Sequence, residues 1–196
     1  MAKNQITGES RLLVIGGSAG SLEVIMNLIP RLNPALHFAI LIIVHRMPSV
    51  DTLLVDLLSS RMDIPVKEAE EKENILPGHV YIAPPDYHVL IEKNKTLSLD
   101  VSEKINYSRP SIDVTFTAAA DVYKNSLVAV LLSGANADGT EGLKQVKAHG
   151  GICIVQDPQT AEVEYMPRTA INQVEVDKVL PPGAMAEYIN NLAPGN

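Results

Sequence analysis

At 196 residues, with 46% hydrophobic and 20% charged positions, the chain has the composition of one folded domain, 1–196, with a substantial core, not of a disordered segment. The formal net charge of −7 leaves no basic footprint for nucleic acid. No apolar run approaches membrane-spanning length and the N-terminal residues lack an apolar signal core, so a soluble, cytoplasmic protein without membrane insertion is expected.

Four short apolar runs, Leu12–Ile15, Ala39–Val44, Leu127–Leu132 and Ile152–Val155, are rich in β-branched residues and do not alternate with polar ones. Strands buried on both faces of a parallel sheet have this pattern. Between them, Ser21–Leu32 places Leu22, Ile25, Met26 and Ile29 on one helical face, with Pro30 and Pro34 ending the helix, and Thr52–Arg61 repeats the spacing with Leu53, Leu54, Leu57 and Leu58. The segment 65–101 breaks the rhythm with short strands near Val80–Ala83, His88–Glu92 and Thr96–Val101, an antiparallel hairpin appended to the sheet with its turn at Lys93-Asn94-Lys95. Ser111–Tyr123 opens on a capping serine, and Thr140–His149 ends at Gly150-Gly151. The sum is an α/β doubly wound, mostly parallel sheet with helices on both faces. The single cysteine, Cys153, reads as a buried strand thiol, and its solitude excludes an intrachain disulfide.

After the first run comes Gly16-Gly17-Ser18-Ala19-Gly20-Ser21 and a helix. A dinucleotide loop and a nucleophile elbow, Gly-x-Ser-x-Gly, both fit this pattern, and so does a glycine turn with no ligand. The second run ends in His45-Arg46, where a nucleotide-binding unit calls for an acid to hold the ribose; a histidine there instead suits a base for Ser18. Of five histidines, His37 and His149 lie near element ends and His79 and His88 in the hairpin region. Only His45 ends a core strand one βα unit after Ser18. The base needs an acceptor to fix its tautomer. Asp138, in Ser133-Gly134-Ala135-Asn136-Ala137-Asp138-Gly139, reads by itself first as a cap of the next helix, and Asp157 is a rival acid at another strand end.

Taken in order, Ile15-Gly16-Gly17-Ser18-Ala19-Gly20, Val44-His45, Pro77-Gly78-His79-Val80-Tyr81-Ile82-Ala83-Pro84, Arg109-Pro110-Ser111-Ile112-Asp113, Leu132 to Gly139, Gln156-Asp157 and Met166-Pro167 resemble the catalytic domain of the CheB-type chemotaxis protein-glutamate methylesterases. The resemblance covers about nine-tenths of the chain. It implies a Ser18–His45–Asp138 triad acting through an acyl-enzyme, with backbone N–H groups of Ala19 and Ala135 as oxyanion donors and no cofactor or metal. The implied substrate is the methyl-esterified glutamate of a methyl-accepting chemoreceptor, with receptor glutamine deamidation as a related activity. Ala19 and Ala135 stand where the family often has Thr and Met, and Arg46-Met47-Pro48 replaces a shorter Met-Pro continuation; these changes bear on the pocket more than on the triad. The family's receiver domain is missing, which fits either an excised fragment or a free-standing enzyme. A monomer is expected. The other readings are a docking module that retains the fold and, less well supported, a nucleotide-binding domain.

Overall fold

In the computed structural model the described residues are 11–33, 38–45 and 51–192, so His37 and Arg46-Met47-Pro48 lie outside them. The chain runs β1 (Arg11–Gly17), α1 (Ser21–Leu28), β2 (Phe38–Val44), α2 (Asp51–Ser59), β3 (Val66–Glu68), β4 (Val80–Ile82), β5 (His88–Ile91), β6 (Leu97–Asp100), α3 (Ile112–Tyr123), β7 (Leu127–Leu131), α4 (Thr140–Ala148), β8 (Ile152–Gln156), α5 (Tyr165–Gln173), β9 (Lys178–Leu180) and α6 (Pro182–Asn191). Seven strands form one sheet in the order β3-β4-β2-β1-β7-β8-β9, with every pairing parallel. The four apolar runs occupy its centre because only positions covered on both faces need two apolar surfaces.

Successive residues of β1 divide between two cores, as the two-residue period of a strand requires. Leu12 and Val14 face Phe116, Ala119 and Leu143, and so α3, α4 and α5; Leu13 and Ile15 face Ile25, Leu58 and Ile189, and so α1, α2 and α6. On α1, Ile25 and Met26 are buried as its spacing predicts, whereas Leu22 is exposed. Ile29, also buried, lies in a 3-10 turn through Ile29–Arg31, which contains Pro30, so the α-helix is shorter than its apolar pattern. Leu54 and Leu58 carry the buried face of α2.

One expectation is corrected in the middle of the chain. Val80–Ile82 does not belong to the hairpin; it pairs parallel with β2 and with β3, inside the main sheet. The hairpin is β5 and β6 alone, a separate two-stranded sheet. It packs on α3 through Val89, Ile91 and Leu97, and Thr115 Oγ1 donates to the Val89 carbonyl at 2.8 Å. Cys153 is fully buried in β8, where burial pushes its thiol up to about 12, as an inert structural cysteine requires.

Helices α3 and α4 approach closely at Gly142. A Cβ there would lie 2.6 Å from Phe116 Cβ and 3.1 Å from the Asp113 backbone. Helix propensity favours alanine over glycine by about 1 kcal/mol, but overpacking costs about 1–3 kcal/mol. Backbone atoms cannot yield as a flexible side chain can, so the clash decides the sign. Gly142→Ala is therefore expected to lower unfolding stability by about 1–2 kcal/mol in urea denaturation; an unchanged or raised midpoint would contradict the close approach.

Candidate active site

All of the loops that carry the predicted residues leave the C-terminal ends of adjacent central strands. β1 lies between β2 and β7, so the loop after β1 is flanked by the ends of both neighbours. The chain diverges here, passing from β1 to β2 on one side and from β7 to β8 on the other, and such switch points leave a crevice above the sheet. Three hydrogen bonds fix the alignment: Leu132 N–H to Gly16 O at 2.9 Å, Ser18 N–H to Ser133 O at 2.9 Å and His45 N–H to Gly17 O at 3.2 Å.

The turn after β1 is sharp, but its left-handed residue is Gly20, at φ +77°, which caps α1; Ser18 is not in that region. Ser21 closes the turn by giving both its N–H and its hydroxyl to the Ser18 carbonyl. Ser18 is half-buried and Ala19 is exposed. The Ala19 and Ala135 N–H groups have no hydrogen-bond partner among the described residues, and neither has the Ser18 hydroxyl.

His45 and Asp138 meet directly. Nε2 lies 2.8 Å from Asp138 Oδ2, with the imidazole 12% exposed and the carboxylate fully buried. Since an ionised carboxylate can only accept, Nε2 carries the proton and Nδ1 is the basic atom. This reverses the chymotrypsin arrangement, in which the acid holds Nδ1–H and the serine faces Nε2. Nδ1 lies 3.3 Å from Ser108 Oγ. The structure thus brings His45 and Asp138 into contact and sets Ser18 on the neighbouring loop without a hydrogen bond between Ser18 and His45. Asp157 is elsewhere, capping its own 3-10 turn through Gln159 N–H at 3.0 Å.

Asp138 does cap a helix, though not the one that follows it. Oδ2 accepts from Ile112 N–H at 2.7 Å, and Oδ1 accepts from Asp113 N–H at 3.0 Å, Ser111 Oγ at 2.9 Å and Gly139 N–H at 3.1 Å. The first three of these donors belong to the N-terminus of α3, the positive end of a twelve-residue helix. Asp113, in the first turn of α3, returns the favour by accepting from Gly139 and Gly142 N–H at 2.9 and 2.7 Å, at the start of α4. Each helix is capped by the acid beside the start of the other. Burial by itself would raise the Asp138 carboxyl. The bond from His45, the Asp113 and Ile112 amides and the charge of His45 together hold it below the ordinary carboxylate value.

Around this pair stand supports with no local signature in the sequence. Ser111 N–H donates to His88 Nδ1 at 3.1 Å, and His88 Nε2 reaches the Glu103 carbonyl at 2.9 Å, so His88 is a buried strut with its proton on Nε2. Ser133, fully buried, has one hydroxyl proton for the Ala19 carbonyl at 2.7 Å or the Val163 carbonyl at 3.1 Å, and accepts from Val163 N–H, joining the β1 loop to the approach to α5. Gln156 accepts from Ser133 N–H, and Asn136 Oδ1 accepts from Asp138 N–H. The other histidines among the described residues lie apart: His79 stacks on Tyr81, and His149 ends α4 beside Asp121. Among the described residues no cluster could hold a metal, and no helix is long and apolar enough to cross a membrane.

A parallel α/β sheet with an Asp-bound histidine beside a serine-bearing glycine loop, at the central switch point, has the architecture of a serine hydrolase. The comparisons narrow the class. Residues 13–189 match the CheB methylesterase family. A putative protein-glutamate methylesterase/protein-glutamine glutaminase of Leptospira interrogans is 46% identical over 184 residues, 94% of this chain and 95% of that one. A protein-glutamate methylesterase/protein-glutamine glutaminase of Thermotoga maritima is 38% identical over 188 residues, 93% of this chain but 54% of the relative. The crystal structure of the Thermotoga maritima CheB methylesterase catalytic domain superposes with a TM-score of 0.90 at 37% identity, covering 94% of this chain and 100% of that one. The chain belongs to the CheB methylesterase family.

Burial, aided by the charge of Asp138, pushes the Asp113 carboxyl from the ordinary 3.8 up to about 6, against the opposing N–H bonds from Gly142 and Gly139. A carboxyl that binds its proton more tightly when folded contributes stability below its unfolded value, and that contribution is lost as pH rises through its folded value. Asp113→Asn keeps an oxygen for Gly139 and Gly142 but cannot ionise. Its stability relative to wild type is therefore expected to rise from pH ~4 to ~6 in urea unfolding; a difference that stays constant across that window would contradict the assignment.

Proposed function

We propose that this chain is a protein-glutamate methylesterase that cleaves γ-methyl esters of glutamate side chains on a methyl-accepting chemoreceptor, using Ser18 as nucleophile, His45 as base and Asp138 as the acid that orients the base. The observation that carries the reading is the His45–Asp138 contact at 2.8 Å, mounted beside the Ser18 loop, in a chain of the CheB methylesterase family. Relatives named for both methylesterase and glutaminase activities extend the proposal to receptor glutamine deamidation.

The chemistry follows from the free nitrogen. A serine alcohol is a weak nucleophile until a base takes its proton in the transition state. Nδ1 of His45 takes that proton as Ser18 Oγ bonds to the ester carbonyl carbon, and the carbonyl π pair moves onto oxygen. The N–H groups of Ala19 and Ala135 are the donors for this oxyanion, and neither has a hydrogen-bond partner among the described residues. Asp138, held ionised by the α3 N-terminus, stabilises the imidazolium through Nε2–H. Collapse breaks the bond to the methoxy oxygen, which takes the proton from Nδ1 and leaves as methanol. Water then gives a proton to Nδ1 and adds to the acyl carbon, and collapse returns that proton to Ser18 and frees the glutamate.

Methanol release from membranes carrying methylated chemoreceptors tests this directly. The wild-type chain is expected to release methanol, with Ser18→Ala and His45→Ala slower by about 10³-fold or more. Equal activity in wild type and Ser18→Ala, or none in either, would remove the proposal for that substrate.

A further inference from the structure

The basic nitrogen of His45 faces Ser108 and not the nucleophile. Ser108 follows a tight turn in which Asn106 and Tyr107 have φ of 51° and 62°, closed by reciprocal backbone bonds between Ile105 and Ser108. Its half-buried hydroxyl lies 3.3 Å from His45 Nδ1, 3.4 Å from Asn136 Nδ2 and 3.4 Å from the Asn106 carbonyl. The roles follow from the inventory of donors and acceptors. Asn136 Nδ2 can only donate, and its Oδ1 is engaged by Asp138 N–H. Ser108 therefore accepts from Asn136 and has a single proton to give, either to Nδ1 or to the Asn106 carbonyl. Nδ1, with Nε2–H committed to Asp138, can only accept.

We infer that Ser108 is a positioning residue: in the free enzyme its hydroxyl donates to His45 Nδ1, holding the ring with its basic nitrogen turned towards the crevice until the Ser18 hydroxyl takes that place. This rests on the triad reading and deepens it. When substrate brings Ser18 Oγ–H onto Nδ1, the Ser108 proton turns to the Asn106 carbonyl, and no hydrogen bond is left unmade. The long contact suits a bond that must yield, because a short one would compete with the nucleophile for its base. Asn136 links this device to the acid, since it touches both Ser108 Oγ and the Asp138 amide. The Asp138 side fixes where Nε2 sits, and Ser108 restrains rotation of the ring about that bond.

Two readouts on the full chain test the inference: the rate at which a fluorophosphonate labels Ser18, with fluoride leaving, and the ¹⁵N resonance of His45 Nδ1, assigned by its disappearance in His45→Gln. Loss of one hydrogen bond of ordinary strength predicts labelling about three- to tenfold slower in Ser108→Ala. The Nδ1 resonance is expected to move downfield as its accepted bond is lost, and Ser108→Thr is expected to restore both readouts. A wild-type labelling rate with an unmoved Nδ1 resonance in Ser108→Ala would overturn the inference. So would slower labelling without a change at Nδ1, which would mean that Ser108 acts through the loop alone, and so would adduct formation on Ser108. If Ser18→Ala and His45→Ala are inert while Ser108→Ala matches wild type, this inference fails and the triad stands. If Ser18→Ala labels like wild type, the triad itself fails.

Discussion

The buried carboxylate of Asp138 is the constraint on which the rest of the site depends. One side chain accepts from a histidine, a serine hydroxyl and three backbone amides, and those donors come from three separate stretches of chain. A charge so deeply buried would be costly if left uncompensated. Here the N-terminus of α3 supplies amides and a favourable dipole, which with the bond from His45 favour the ionised carboxylate. The usual tension between a buried acid and a stable fold is met by making the acid of the proposed triad a structural cap.

That arrangement makes the partner acid intelligible. Asp113 closes the other half of a reciprocal cap, and Gly139 N–H lies within reach of both carboxylates. Two acids this close cannot both ionise freely, and the asymmetry falls as their surroundings dictate. Asp138 has the histidine and is held low; Asp113 is pushed up by burial and by the charge of Asp138. The close approach of α3 and α4 at Gly142 brings the two starts together, so packing between helices sets the surroundings of both carboxylates.

Much of this was legible in the sequence, and the reasons for the rest are physical. The central strands announce themselves because burial on both faces leaves no polar alternation. β3 and β9 do not, since each has three residues and no fully buried side chain. Val80–Ile82 resembles a hairpin strand because three apolar residues carry no record of which neighbour they pair with. Ser18 and His45 could be picked out at strand ends. Asp138 could not be separated from a local cap, and the reason is now visible: it is a cap, but of a helix that begins 26 residues earlier. Ser108, Ser133 and His88 act across 23 to 114 residues of sequence and leave no local pattern to mark them; Ser111 is legible as the cap of α3 but not as a donor to Asp138.

Removing a catalytic group often leaves a protein as stable as before, or more so, because active sites carry strain and unpaired charge. The dual role of Asp138 predicts the opposite here. Urea unfolding of Asp138→Ala beside Ser18→Ala is the most direct measurement. Ser18→Ala is expected to unfold at the wild-type midpoint, whereas Asp138→Ala, which strands the buried donors at the start of α3, is expected to lose at least about 2 kcal/mol. An Asp138→Ala variant as stable as wild type would contradict the claim that the acid of the site also holds the fold around it.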